Sequence, residues 1–265
     1  MDSKSAEDWF NEGSSWDKKG NLPKAIECFQ KAIELNPDCP RYYRNMGRMY
    51  ERKKDYDKAI EYYQKAGDYR NMGNVCNRHK KDYDKAIECY QKAIELDSNF
   101  AYHDGMYITL GNVYRRKQDY DKAIECYQKM LELDPDGIRG VKGLLAYQEI
   151  RNVYVQYKKD YDKAIEYYQK RIALDLDSAD AYRNMGDVYA WKKQDYDKAI
   201  ECYQKAIDLY PNYALAYCYM GDIYSKMQDY DKAIECFQKA IDISPDYERA
   251  KKNKEKALQE LKKQE

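Results

Sequence analysis

The chain has 265 residues, with 47 Lys plus Arg against 47 Asp plus Glu; 43% of it is apolar, and 31 tyrosines outnumber four phenylalanines. Balanced charge gives no overall field for nucleic acid or anionic lipid, and no apolar run reaches the roughly 18 residues of a membrane helix. The opening Met1-Asp2-Ser3-Lys4 lacks the basic-then-apolar order of a signal peptide, so a cytoplasmic protein with no nucleic-acid or membrane partner is expected.

The first predicted element follows Ser5, which with Asp8 three residues on reads as an N-cap and its reciprocal acid. No polar helix shields this end, so Trp9, Phe10 and Trp16 are expected to be partly exposed. Next comes Asn21 to Glu27, a degenerate copy of Asp55-Tyr56-Asp57-Lys58-Ala59-Ile60-Glu61. That heptapeptide returns identically at Asp82, Asp119, Asp160, Asp195 and Asp229. Each copy opens a run with apolar residues at i, i+1, i+4 and i+7, one stripe of a helix. The alanines Ala25, Ala59, Ala86, Ala123, Ala164, Ala199 and Ala233 are spaced by 34, 27, 37, 41, 35 and 34 residues. About twelve residues before each lies a second helical pattern, as in Tyr43 to Tyr50, so the unit is helix, turn, helix.

Repeat 6 reads Tyr182, Met185, Gly186, Tyr189, Ala199, Tyr203, Ala206, Pro211, and repeat 7 reads Tyr217, Met220, Gly221, Tyr224, Ala233, Phe237, Ala240, Pro245. This resembles the tetratricopeptide repeat, whose signature is Trp-x2-Leu-Gly-x2-Tyr, then Ala-x3-Phe, then Ala and Pro. The resemblance implies an all-α fold, a right-handed α-solenoid superhelix. Seven repeats fall at about 6–39, 40–66, 67–98, 99–137, 138–178, 179–213 and 214–247, read as one domain, with a capping helix over 246–265. Glycine and alanine are small where paired helices cross, and the tyrosines fill the gaps between them. Pro37, Pro135, Pro211 and Pro245 stand where a second helix must end. In the last segment Tyr247, Ala250, Ala257, Leu258 and Leu261 form the apolar stripe.

The period breaks in places. Ala66 to Gly73 takes seven residues where Ala206 to Gly221 takes fifteen. Either the second helix of repeat 2 stops at Gly67 with Asp68 capping the next, or the two helices fuse; Gly-Asp favours the stop. Leu96 to Gly111 is longer by three residues and Pro135 to Arg151 by six. The second insertion is either neutral drift or, with Gly137, Gly140 and Gly143, a loop from 136 to 143 shaping the edge of a groove. Single extra residues before Asp82, Asp160 and Asp195 are assigned to turns.

Second helices are nearly identical and so carry packing; first helices differ. The family resemblance implies that first helices line a concave groove, at positions six, three and two before the glycine and one and four after it. The candidate peptide-binding residues are Arg41, Arg44, Asn45, Arg48, Arg70, Asn71, Asn74, Asn77, Asn112 and Arg115, with Arg183 and Asn184 in repeat 6. Guanidinium forks and amides suit carboxylates and peptide backbone. Arg-Asn-Met-Gly recurs at Arg44, Arg70 and Arg183, so copying of the unit accounts for part of the pattern. The two-carboxylate clamp of some co-chaperones in this family is incomplete: Arg44, Arg48 and Asn71 match loosely, but Gly105 and Thr109 stand where its Lys and Arg belong.

Cys28, Cys89, Cys126, Cys202 and Cys236 share one register and there is no Cys-x-x-Cys, which reads as reduced packing cysteines. His79, assigned to a turn, and His103, assigned to an insertion, make no metal spacing. No phosphate-binding glycine motif occurs, and a non-enzyme without metal or cofactor is expected. The reading is a protein-interaction scaffold binding a peptide segment or partner helix, with carboxylate-bearing ligands favoured by repeats 2 to 4. The alternative is self-assembly into a homo-oligomer through the uncapped first repeat.

Overall fold

A computed structural model describes residues 4–96, 103–133, 141–174 and 178–264. Every described regular element is helical, and within each of two units the helices pair into hairpins packed in sequence order. The chain forms two compact units, Met1–Leu133 and Asp134–Glu265. The first holds the pairs α1 (Ala6–Lys18) with α2 (Leu22–Leu35), α3 (Pro40–Arg52) with α4 (Tyr56–Lys65), α5 (Tyr69–Val75) with α6 (Tyr83–Leu96), and α7 (His103–Arg116) with α8 (Tyr120–Leu133). The second holds α9 (Val141–Asn152) with α10 (Tyr161–Leu174), α11 (Ala179–Val188) with α12 (Tyr196–Leu209), α13 (Ala214–Lys226) with α14 (Tyr230–Ile243), and a closing α15 (Glu248–Leu261). Each unit is thus an all-α solenoid.

The repeated heptapeptide has one structural task. Its first Asp, or Asn21, is the N-cap of the second helix, where a side-chain oxygen accepts the backbone N–H three residues on: Lys24, Lys58, Lys85, Lys122, Lys163, Lys198 and Lys232 donate at 3.1 to 3.3 Å. Such a cap stabilises a helix by about 1 kcal/mol. The residue before it turns the chain in the left-handed region: Gly20, Lys54, Lys81, Gln118, Lys159, Gln194 and Gln228 all have positive φ, between 53° and 78°.

The extra residues before Asp82, Asp160 and Asp195 are not in these turns. They widen the end of the first helix into one π-type turn over Cys76–Lys80, Val153–Lys158 and Tyr189–Lys193. In repeats without the insertion the cap N–H reaches back five residues, as from Asp55 to Tyr50; with it the reach is six, from Asp82 to Cys76, Asp160 to Tyr154 and Asp195 to Tyr189. Helix absorbs the residue because the left-handed turn and the cap fix the geometry on one side of it, whereas a π-bulge keeps the hydrogen bonds and only widens the coil.

Where the hairpins cross, six glycines lie against an aromatic ring of the second helix: Gly13 on Phe29, Gly47 on Tyr63, Gly73 on Tyr90, Gly111 on Tyr127, Gly186 on Tyr203 and Gly221 on Phe237. A Cβ at any of them would come within 2.5 to 2.8 Å of a ring carbon, closer than packed carbons approach. Phe29, Tyr90, Tyr127 and Tyr203 are wholly buried, each contributing about 2 to 3 kcal/mol through burial. Cys28, Cys89, Cys126, Cys202 and Cys236 are buried in the same layers. Burial pushes the Cys202 thiol up to about 11 and those of Cys126 and Cys236 up to about 12.

The ends differ in part from expectation. Ser5 and Asp8 form the reciprocal cap, but Phe10 is buried, with its ring centroid 5.5 Å from that of Phe29 and 5.3 Å from that of Tyr42. Trp9 and Trp16 are half-buried under the ammonium groups of Lys4, Lys31, Lys19 and Lys24, at 4.2 to 4.8 Å from their rings. At the other end α15 seats Ala250 and Ala257 against the preceding pair, while Leu258 stays exposed. The junction of repeats 2 and 3 follows the stop: α4 ends at Lys65, Gly67 has φ +65°, and Asp68 caps α5. Residues 136–140 of the glycine-rich insertion, and most of the insertion after Leu96, lie outside the described residues; 141 to 143 already belong to α9.

Candidate ligand-binding surfaces

In the first unit the predicted basic residues are on first-helix surfaces, and most are engaged by acids of neighbouring helices. On α3, Arg41 meets Glu7 at 2.7 Å, Arg44 Nε meets Asp68 at 2.7 Å, and Arg48 meets Asp17 at 2.5 Å, an acid that it shares with Arg52. Asp17 and Asp68 are nearly covered, while the arginines keep about half their surface in solvent. Pairs of this exposure contribute roughly 0.2 to 1 kcal/mol each, so a ligand carboxylate can compete for them. Arg44 and Arg70 come together: with Asp68, Tyr69, Leu96 and Met106 they line a pocket of about 300 Å³. The pocket exists because α4 has ten residues where α6 and α8 have fourteen.

The amides have internal partners. Asn45 donates to the Arg41 carbonyl at 2.8 Å, and Asn71 donates to Asp68 at 2.8 Å. Asn74 and Asn112, one residue after their glycines, accept the hydroxyls of Tyr90 at 2.8 Å and Tyr127 at 2.9 Å. Asp187 does the same for Tyr203 at 2.8 Å, and burial raises that carboxyl above the ordinary range. In repeats 3, 4 and 6 this position therefore holds the crossing tyrosine, whereas in repeat 2 Tyr63 donates to Glu51. Arg115 donates to Asn112 at 3.2 Å. Asn77 is buried and accepts from Arg116 at 2.8 Å, so it joins two repeats instead of facing outward. His79 is not a loop residue either: it sits in the π-turn, its ring stacked 4.3 Å from that of Tyr56 and its Nε2 3.5 Å from Glu51.

In the second unit Arg183 and Asn184 open onto a cavity of about 380 Å³ between α9, α10 and α11. Its lining adds Asp180, at the groove position six before the glycine of the same repeat, together with Arg151, Arg171, Tyr147, Tyr167 and Tyr168, none of these five among the predicted residues. Arg183 is largely covered, donating to Asp187 at 3.0 Å and to the Tyr213 hydroxyl at 3.3 Å. Arg151 donates to Tyr168 at 3.2 Å and to Asn152 at 2.7 Å. A sequence signal for this cavity existed. Repeat 5 carries Arg151 at the signature glycine and Arg171 at the second alanine, where Ala32, Ala206 and Ala240 are fully buried.

Among the described residues no helix is long and apolar enough to cross a membrane, and no group of three or more His, Cys, Asp or Glu is placed to hold a metal. A search of curated proteins returned no match. Among solved structures, the C-terminal part of a TPR repeat-containing protein from Cytophaga hutchinsonii is similar over 92% of this chain and 98% of its own, at 21% identity and a TM-score of 0.65. A tetratricopeptide repeat protein from Parabacteroides merdae is similar over 97% and 100%, at 18% identity and 0.52. The MamA protein shares 31% identity over 62% of this chain and 90% of its own, with a TM-score of 0.46. Sequence profiles of the tetratricopeptide repeat match residues 10–71 and, in overlapping windows, 69–136, 104–177, 152–212 and 177–246, and the chain belongs to the tetratricopeptide-repeat family.

Proposed function

We propose that the protein is a non-catalytic, cytoplasmic interaction scaffold that holds a peptide segment or partner helix against its first helices, with repeats 2 to 4 taking a carboxylate-bearing ligand. The observation that supports it most is the pocket shared by Arg44 and Arg70. Two guanidinium groups from successive repeats flank one opening lined by Leu96 and Met106, which suits an acidic residue next to an apolar one. Affinity would come from those anchors and from a rigid framework that loses little entropy on binding.

The test is capture from native lysate by the intact chain and by the double variant Arg44→Ala, Arg70→Ala. A partner held by the first and lost from the second, with unchanged helical content, is expected. A partner held equally by both removes the assignment. Self-association through the first repeat has less support, since lysines already cover Trp9 and Trp16; sedimentation at several concentrations decides it, a strict monomer excluding it.

A further inference from the structure

Repeat 5 breaks the packing rule of its neighbours at two interior positions. At the crossing, Arg151 stands where six other repeats have a glycine in contact with a ring. The hairpin of α9 and α10 cannot close to the same distance, because a Cβ there would overlap the Tyr168 ring if the pair were spaced as α11 and α12 are. One turn further along α10, Arg171 replaces an alanine that is wholly buried in repeats 1, 6 and 7. Both large-for-small exchanges line the same cavity, and Arg183 of the next repeat completes it.

Arginine at interior positions is costly unless its charge and N–H groups are answered. Arg183 is answered by Asp187. Arg151 spends its donors on neutral groups, the Tyr168 hydroxyl and the Asn152 amide oxygen. Arg171 has its Nε buried without a hydrogen-bond partner. Among the described residues the only carboxylate in the lining is Asp180, which lies 3.8 Å from Arg183 and accepts from the Tyr213 hydroxyl. Among the described residues, three guanidinium groups thus face two carboxylates, Asp180 and Asp187, and one positive charge is left over. Tyr147, Tyr167 and Leu144 add aromatic and apolar wall beside the amides of Gln148 and Asn184.

We propose that this cavity is a second binding site, specific for a single carboxylate group on a protein partner, with Arg171 and Arg151 donating to it and Tyr147 packing on the residue that carries it. A monoanion matches the surplus charge; a phosphate dianion would overfill it beside Asp180. The inference deepens the scaffold reading by naming a ligand chemistry for repeats 5 and 6, and it stands apart from the Arg44 and Arg70 pocket.

The experiment uses the full chain labelled with 15N-arginine, followed through its Nε–H resonances. Probes are N-acetyl-Tyr-Glu-amide, which offers a side-chain carboxylate, N-acetyl-Tyr-Leu with a free C-terminal carboxylate, N-acetyl-Tyr-Gln-amide, which offers none, and inorganic phosphate. The expected result is a saturable shift of the Arg171 resonance with at least one carboxylate probe, the stronger arm identifying the source, and no such shift with the glutamine peptide. Arg171→Gln should weaken the same binding about tenfold, read on Arg151, as for a lost hydrogen bond to a charged group. Arg151→Gly, which restores the residue of six folded repeats, should close the cavity and abolish binding. No saturable shift from either carboxylate probe, an equal shift from the glutamine peptide, tighter binding of phosphate, or retained binding in Arg151→Gly would each overturn the proposal. Those outcomes leave the partner capture that depends on Arg44 and Arg70 untouched, so the two readings fail separately.

Discussion

Repeats 5 and 6 are adjacent copies of one unit, and they use the same crossing in opposite ways. In repeat 6 Gly186 lets α11 lie against the Tyr203 ring, whose hydroxyl is held by Asp187; the pair is closed and fully packed. In repeat 5 Arg151 occupies that position, Tyr168 turns its hydroxyl to the arginine, and a cavity opens between the helices. The comparison shows that in a stacked-hairpin protein a cavity can open where the packing of a single unit is relaxed. Neighbouring crossings keep the rest of the stack in place, since each repeat contacts only its neighbours.

The largest expected effect comes from copying repeat 5 into repeat 6. Gly186→Arg puts a Cβ where it would be 2.7 Å from a Tyr203 carbon, and overpacking of this kind costs about 3 kcal/mol; denaturant unfolding should report that loss. Unchanged stability would mean that the crossing is not what separates the two repeats.

Close behind is an alkaline effect at Cys202 in the closed repeat. Cys202 sits where repeat 5 has Tyr167, and burial holds its thiol at about 11, above the ordinary value of 9.0. The folded chain keeps this proton longer than the unfolded chain, so the stability it contributes is complete below pH 9 and lost as pH rises through 11. The loss is about 2 to 3 kcal/mol by linkage. Unfolding midpoints across pH 8 to 11 should fall for the parent and fall less for Cys202→Ala.

A smaller effect tests what the two repeats share. Asp160→Ala and Asp195→Ala each remove the same cap and should each cost about 1 kcal/mol in thermal unfolding. Clearly unequal losses would show that the difference between the repeats extends beyond the crossing. The smallest concerns the paired arginines of the first unit. Glu7→Gln removes the acid on Arg41 and should cost about 0.5 kcal/mol or less, a value that salt should erase.

Much of the candidate site in the first unit was legible from the chain because identical repeats act as controls for one another. Arg44 and Arg70 are singled out by variable first helices against uniform second helices, whereas the pocket they share at the shortened junction emerges only from packing. Sequence places Asn74 and Asn112 on a first helix beside the glycine, which predicts ligand contacts; that the tyrosine hydroxyl ends there is a matter of three-dimensional reach. The cavity at Arg151 had a sign in the broken signature, but a substitution can be read as drift until the ring it displaces is located.

Local sequence alone decided the helices, their caps and their period, because an Asp N-cap, a left-handed turn and an apolar stripe are set by residues a few positions apart. Packing between helices decided the rest: the ends of the first helices widened into π-turns, acids from neighbouring helices closed on the α3 arginines, and one crossing stayed open. These outcomes depend on which side chains from distant positions compete for the same volume and the same charge, a competition that exists only after the hairpins have stacked.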